Sequence, residues 1–132
     1  MNERQRGVAY WILLLLGIGG VVNGVIMLFS SEPWFTSIAA DTGPFNVHLV
    51  RDVGAAYVTS GVASVWAAAA PSWRVPLAAT AALFLALHGL IHVAEVLSGV
   101  QPPAHLLEDF PGVYLPALLL TGIAARSRER RA

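Results

Sequence analysis

The chain has 132 residues, 56% of them hydrophobic and 12% charged, a balance too apolar for an ordinary soluble domain of this size. Eight arginines offset eight acids without forming the basic stripe that a nucleic-acid binder needs, so nucleic acid is not an expected partner and a lipid bilayer is the expected surrounding. The absence of cysteine removes disulfides, thiolate metal sites, iron–sulfur clusters and thiol nucleophiles, and leaves any metal to His, Asp and Glu.

Four apolar segments follow one another along the chain. Residues 8–29 form the first, about 33 Å long as a helix and enough for a hydrocarbon core. That run exceeds the roughly 7–15 apolar residues of a signal peptide, so it predicts a retained helix even though Ser37-Ile38-Ala39 resembles a cleavage site. The second segment, 47–70, ends at Pro71, which has no amide proton, and the stretch from Pro71 to Pro76 reads as a tight turn between antiparallel neighbours. The third, 77–97, stops at Ser98-Gly99 ahead of Pro102-Pro103. The fourth, 110–125, is about 24 Å long as a helix and contains Pro116, so it must draw on residues before Phe110 or thin the bilayer. The expected fold is all-α: a single membrane domain built as an antiparallel, up-down bundle of four transmembrane helices.

Arginine sets the orientation, because positively charged loops resist translocation. Arg4, Arg6, Arg74, Arg126, Arg128, Arg130 and Arg131 fall on one side of this map, with Arg51 the exception. The N and C termini are therefore expected in the cytoplasm, and the chain reads as a multi-pass protein of a bacterial inner membrane. Glu32, Asp41, Asp52, Glu95, Glu108 and Asp109 gather toward the opposite pole. Tyr10, Trp11, Trp66 and Trp73 would mark the inner interface, and Trp34, Phe35, Phe110 and Tyr114 the outer one.

Gly20 and Gly24 make a GxxxG pair, and Gly54 and Gly61 thin the second helix, so these faces suit close packing within the chain or against helices of a partner. Asn23, between two of them, suits a hydrogen bond across helices.

Chemistry concentrates in the third segment, where His88, His92 and Glu95 follow one helical face at spacings of four and three. His48 and Asp52 repeat the spacing of four on the second, and His105, Glu108 and Asp109 cap the same pole. An ionisable group in hydrocarbon costs at least about 2.5 kcal/mol, so it persists where it pairs, faces a cavity or performs a function. Imidazoles and carboxylates suit zinc, copper or iron. His48, His88, His92 and Glu95 are the expected ligands of a transition metal or haem, with Asp52 orienting a histidine. Arg51 lies about one turn inside the second helix and needs acceptors; Glu95 is the preferred partner, with Glu108 and Asp109 at similar depth. Read structurally, the same residues are a buried hydrogen-bonded network in which Arg51 pairs with an acid and the histidines bridge helices.

Three functional classes remain: a redox-accessory or non-enzymatic metal protein, a membrane enzyme using a His/Glu acid–base pair on a lipid-soluble substrate, and a structural subunit of a larger membrane complex. A ferritin-like di-iron site needs Glu-x-x-His twice plus two more glutamates, whereas here the order is reversed, as in His92-x-x-Glu95. Four histidines are too few for the di-iron centre of membrane desaturases and hydroxylases. Gly89, Leu90 and Ile91 leave no zincin base between His88 and His92. The small size, the four segments and the charged pair Arg51-Asp52 opening the second resemble the small bacterial membrane proteins of the DoxX-like kind. The resemblance implies an inner-membrane protein with redox or accessory association and assigns no residue a role.

Overall fold

The computed structural model describes residues 3–129, with side chains from 7 to 126. Within them the chain is all-helical: α1 (Glu3–Phe29), α2 (Ser31–Ile38), α3 (Val47–Ala69), α4 (Arg74–Leu97), α5 (His105–Glu108), a π-helical turn (Phe110–Tyr114) and α6 (Leu115–Glu129). Arg130 and Arg131, assigned above to the arginine-rich pole, lie outside the described residues, as do the side chains of Arg4, Arg6 and Arg128. The helices α1, α3, α4 and α6 correspond to the apolar segments, while α2 and α5 occupy stretches that the apolar pattern left as connections.

Each helix end has a local cause. Asn46 caps α3, its side-chain oxygen accepting from the amides of His48 at 3.0 Å and Leu49 at 3.1 Å. At the other end Arg74 is buried and turns back, so that Nε donates to the Ala67 carbonyl at 3.1 Å and Nη2 to the Ala68 carbonyl at 3.2 Å. Helix α4 starts at Arg74 rather than at 77 because Pro76 falls in its first turn, where no amide donor is needed. It ends in a Schellman arrangement: Gly99, at φ +75°, lets its own amide reach the Val96 carbonyl at 3.1 Å and that of Val100 reach the Glu95 carbonyl at 2.9 Å. The fourth segment runs on at its far end to Glu129 and opens on the π-helical turn, which lies within the expected 110–125 and not before Phe110. Pro111 and Pro116 each withdraw an amide donor there, and the chain widens so that the Leu115 amide donates to the Phe110 carbonyl. Helix α2 folds back on α1: the Ser31 hydroxyl donates to the Met27 carbonyl at 2.6 Å, and Trp34 Nε1 donates to Asn23 Oδ1 at 2.9 Å. Asn23 thus anchors a short helix instead of bridging two long ones.

Helix α3 packs antiparallel to α1 on one side and to α4 on the other, and α6 packs antiparallel to α4; contact between α1 and α6 is slight. The α1–α3 approach leaves no room for side chains. A Cβ on Gly24 would stand 2.5 Å from the Gly54 carbonyl, and one on Gly61 would stand 2.6 Å from the Val21 amide. Gly20, Gly24, Gly54 and Gly61 are therefore used for close packing within the chain, one of the two uses expected of them.

The packing is inverted relative to a water-soluble bundle. Its buried cluster is mostly alanine (Ala63, Ala67, Ala68, Ala78, Ala81, Ala82 and Ala117 with Leu13, Leu85 and Leu120), and Ser60, Ser64 and Arg74 are buried too. Large apolar side chains such as Phe29, Leu83, Leu90, Leu97 and Leu118 point outward. Two helices, Gly7–Phe29 and Arg74–Leu97, are long and apolar enough to cross a membrane, and only 22% and 28% of their apolar windows are buried inside the protein. The shorter apolar stretch Phe110–Arg126 and the charged start of α3 fall below that length or hydropathy.

Gly24→Leu is expected to lower the thermal unfolding midpoint of detergent-solubilised protein sharply, by about 1–3 kcal/mol or more in stability, because the backbones must separate. Gly7→Leu, where an added Cβ meets nothing within 4 Å, should leave the midpoint within about 0.5 kcal/mol of the parent.

Candidate metal centre

The polar end of the molecule is assembled by α4, α5 and the π-helical turn. On α4, four residues apart, His88 and His92 share a face, and their Nε2 atoms lie 3.3 Å apart. The His88 ring stacks on Phe84 at 5.9 Å and takes Tyr57 of α3 edge-on at 5.7 Å, which holds it toward the interior. Next to it, Gly89 faces Tyr114: a Cβ there would stand 3.2 Å from the ring. This close approach brings the start of the fourth segment against α4, and His92 Nδ1 meets Asp109 Oδ2 at 2.6 Å.

His105 completes the group. Pro102 and Pro103 end the turn after α4, and Gln101 is buried with its amide donating to the Asp41 carbonyl at 3.2 Å, which pins this turn to the loop after α2. His105 then opens α5, 7% exposed, with its ring parallel to that of His92 at 6.0 Å and its Nε2 3.5 Å from Asp109 Oδ2. Its Nδ1 lies 3.4 Å from Glu108 and 3.7 Å from Asp41 but has hydrogen-bond geometry with neither, and it is buried without a partner. His92, His105 and Asp109 each offer a ligand atom, and these atoms lie within 4.8 Å of one another, so the group could hold a metal ion. Two imidazoles and one carboxylate are the donors of catalytic zinc sites and of mononuclear non-haem iron sites. Beside the group a cavity of about 710 Å³ extends between the helices, and all three residues line it together with His88 and Glu95.

The expected ligand set is thus regrouped. His48 and Asp52 pair with each other at 3.3 Å on an exposed face, with side chains 85% and 65% exposed, and take no part in the cluster. On α3 buried Val50 marks the inward side, and His48 lies about 200° around the helix from it. Glu95 lines the cavity but is not in the metal-competent group, and His88 reaches it only through His92. His105 and Asp109, placed above as an outer cap, belong to its centre, while Glu108 stays at the exposed rim. The expected pairing of Arg51 with Glu95 is not formed. Arg51 Nε donates to the Leu28 carbonyl at 3.2 Å, one of the carbonyls that α1 leaves free at its C-terminal end, and among the described residues it makes no ion pair. The signal for this grouping was the spacing of four between His105 and Asp109, which puts both on one side of a single helical turn.

Asp109→Asn should destabilise the folded protein by about 1–3 kcal/mol, since it weakens a short, charge-assisted contact to His92. His48→Ala, on the exposed face, should stay within about 0.5 kcal/mol. Thermal unfolding followed by circular dichroism in one detergent compares the two. No protein-family model matches the chain, nor does any curated protein or solved structure, and the likeness to DoxX-like proteins rests on layout alone.

Proposed function

We propose that the chain is a multi-pass protein of a bacterial inner membrane that binds a divalent transition metal, zinc or ferrous iron, through His92, His105 and Asp109. The single observation that carries the metal reading is the convergence of these three donors within 4.8 Å at the edge of a cavity. Two imidazoles and a carboxylate leave coordination positions for water or a small molecule, which favours zinc or non-haem iron over haem. Copper shares the affinity for imidazole and is separated from both by elemental analysis.

The membrane reading draws on the inverted packing. A core helix of a soluble protein buries most of its apolar surface, whereas α1 and α4 turn it outward and keep alanine, serine and Arg74 inside. Four antiparallel crossings by α1, α3, α4 and α6 put Arg74 and Arg126 at one end, so the bundle is oriented with both termini in the cytoplasm and the metal group near the outer face. A structural subunit is the weaker reading, because the glycine faces are already used within the chain.

One observation favours a second reading. The 2.6 Å contact between His92 and Asp109 is also that of a histidine oriented by a carboxylate, which would let His92 act as a general base on a lipid-soluble substrate without any metal.

Protein purified in detergent without added chelator should carry about one zinc or iron per chain, retained in His48→Ala and lost in His105→Ala and Asp109→Ala. Acidification should release the ion, because imidazole coordinates only when neutral. Protein that carries neither zinc nor iron as purified would favour the His92–Asp109 pair instead. Reporter fusions at Arg74 and after Ala132 should report cytoplasm, and fusions near Asp41 and Gln101 the exterior; an external Arg74 would reverse the topology.

A further inference from the structure

We infer that the cavity is a binding site for an uncharged, lipid-soluble molecule with a hydroxyl or carbonyl head, seated with that head toward His88, His92 and His105. The volume of about 710 Å³ lies within the range of roughly 300–1,000 Å³ typical of small-molecule sites. Its walls run along α1 from Leu15 to Met27, about 18 Å of helix, so the space is elongated. Away from the histidines the lining carries Leu15, Leu16 and Leu120 with Ser64; the other end carries the histidines.

Charge selects the head group. Glu95, Glu108 and Asp109 are on the lining and, among the described residues, neither arginine nor lysine is, so an anionic head would face carboxylates with no described cationic side chain to receive it. Of these carboxylates Asp109 is already held by His92 at 2.6 Å and Glu108 stands 68% exposed at the rim, so a cationic head would have Glu95 alone to receive it. An uncharged oxygen needs no countercharge and is served by the imidazoles. His105 Nδ1 is buried on the lining without a hydrogen-bond partner, with Glu108 at 3.4 Å and Asp41 at 3.7 Å out of hydrogen-bond geometry, and an imidazole nitrogen gives or takes one hydrogen bond. A hydroxyl can serve either tautomer and a carbonyl the protonated nitrogen. The inference deepens the metal reading and rests on it only in that an oxygen head also suits an open metal position.

The two glycines Gly19 and Gly112 give a clean test. Both line the cavity, neither is near-packed, since an added Cβ at either meets nothing within 4 Å, and neither is a metal donor. Full-length protein in nanodiscs is titrated with tritiated dodecan-1-ol against empty nanodiscs, with dodecanoic acid and dodecylamine as counter-probes and metal content measured on each sample. Saturable binding of about one dodecan-1-ol per chain is expected, weakened at least about tenfold in Gly19→Phe and Gly112→Phe with metal content unchanged. Absence of saturable binding, or binding undiminished in both variants, would overturn the site. Tighter binding of the acid or the amine than of the alcohol would overturn the uncharged head. Metal-free protein that still binds dodecan-1-ol in this pattern would end the metal reading and leave the ligand site standing.

Discussion

Every main-chain carbonyl or amide freed at a helix end has to find a partner, and in a chain this apolar that constraint decides where most of the polar side chains go. Arg51 serves the end of α1 through Leu28, and Arg74 serves the end of α3 through Ala67 and Ala68. In both cases a guanidinium meets the negative end of a helix dipole that belongs to the neighbouring or preceding element. Ser31 does the same for Met27, and Asn46 serves the amides at the start of α3. With these duties assigned, the histidine and acidic side chains gathered inside, His88, His92, His105 and Asp109, serve no helix end. Their clustering needs another explanation, and coordination chemistry supplies one.

The glycine contacts between α1 and α3 shape the interior in a second way. Drawing those two backbones together leaves α1 only slightly in contact with α6, and the space between them is the cavity. On the other side of the molecule Gly89 lets Tyr114 close against α4, so the fourth segment arrives at the height of His92. Small residues thus govern both the width of the cavity and the position of its polar end.

The long helices were legible from apolar runs and proline stops, because those signals act within a few residues; α3 and α4 begin and end within three positions of the expected bounds. Helix α2 was not, since eight residues are too short a run to stand out between two long apolar segments and its anchoring depends on Asn23 meeting Trp34, eleven positions on. The candidate site was legible as a set of residue types at one pole, but not as the particular set of side chains that the fold brings together. Spacing along α4 correctly joined His88 to His92, but which second element faces them depends on the rotation of α3, where Val50 and Gly54 take the inward side and turn His48 away. The choice of acceptor for Arg51 failed for a related reason: a main-chain carbonyl has no signature in the sequence, so a search among acids could not find Leu28.

The donors of the candidate centre come from a narrow stretch of chain. His92 and Asp109 are 17 positions apart, so the contact between them closes a single helical hairpin made of α4 and the start of the fourth segment. The cavity, by contrast, takes its walls from residues as distant as Leu15 and Leu120. Closing the hairpin costs little loop entropy and can precede the arrival of α1, whereas the cavity exists only once the first and last helices are both in place. In kinetic terms the site's chemistry is a short-range product of the second half of the chain, and its shape is a late, long-range one.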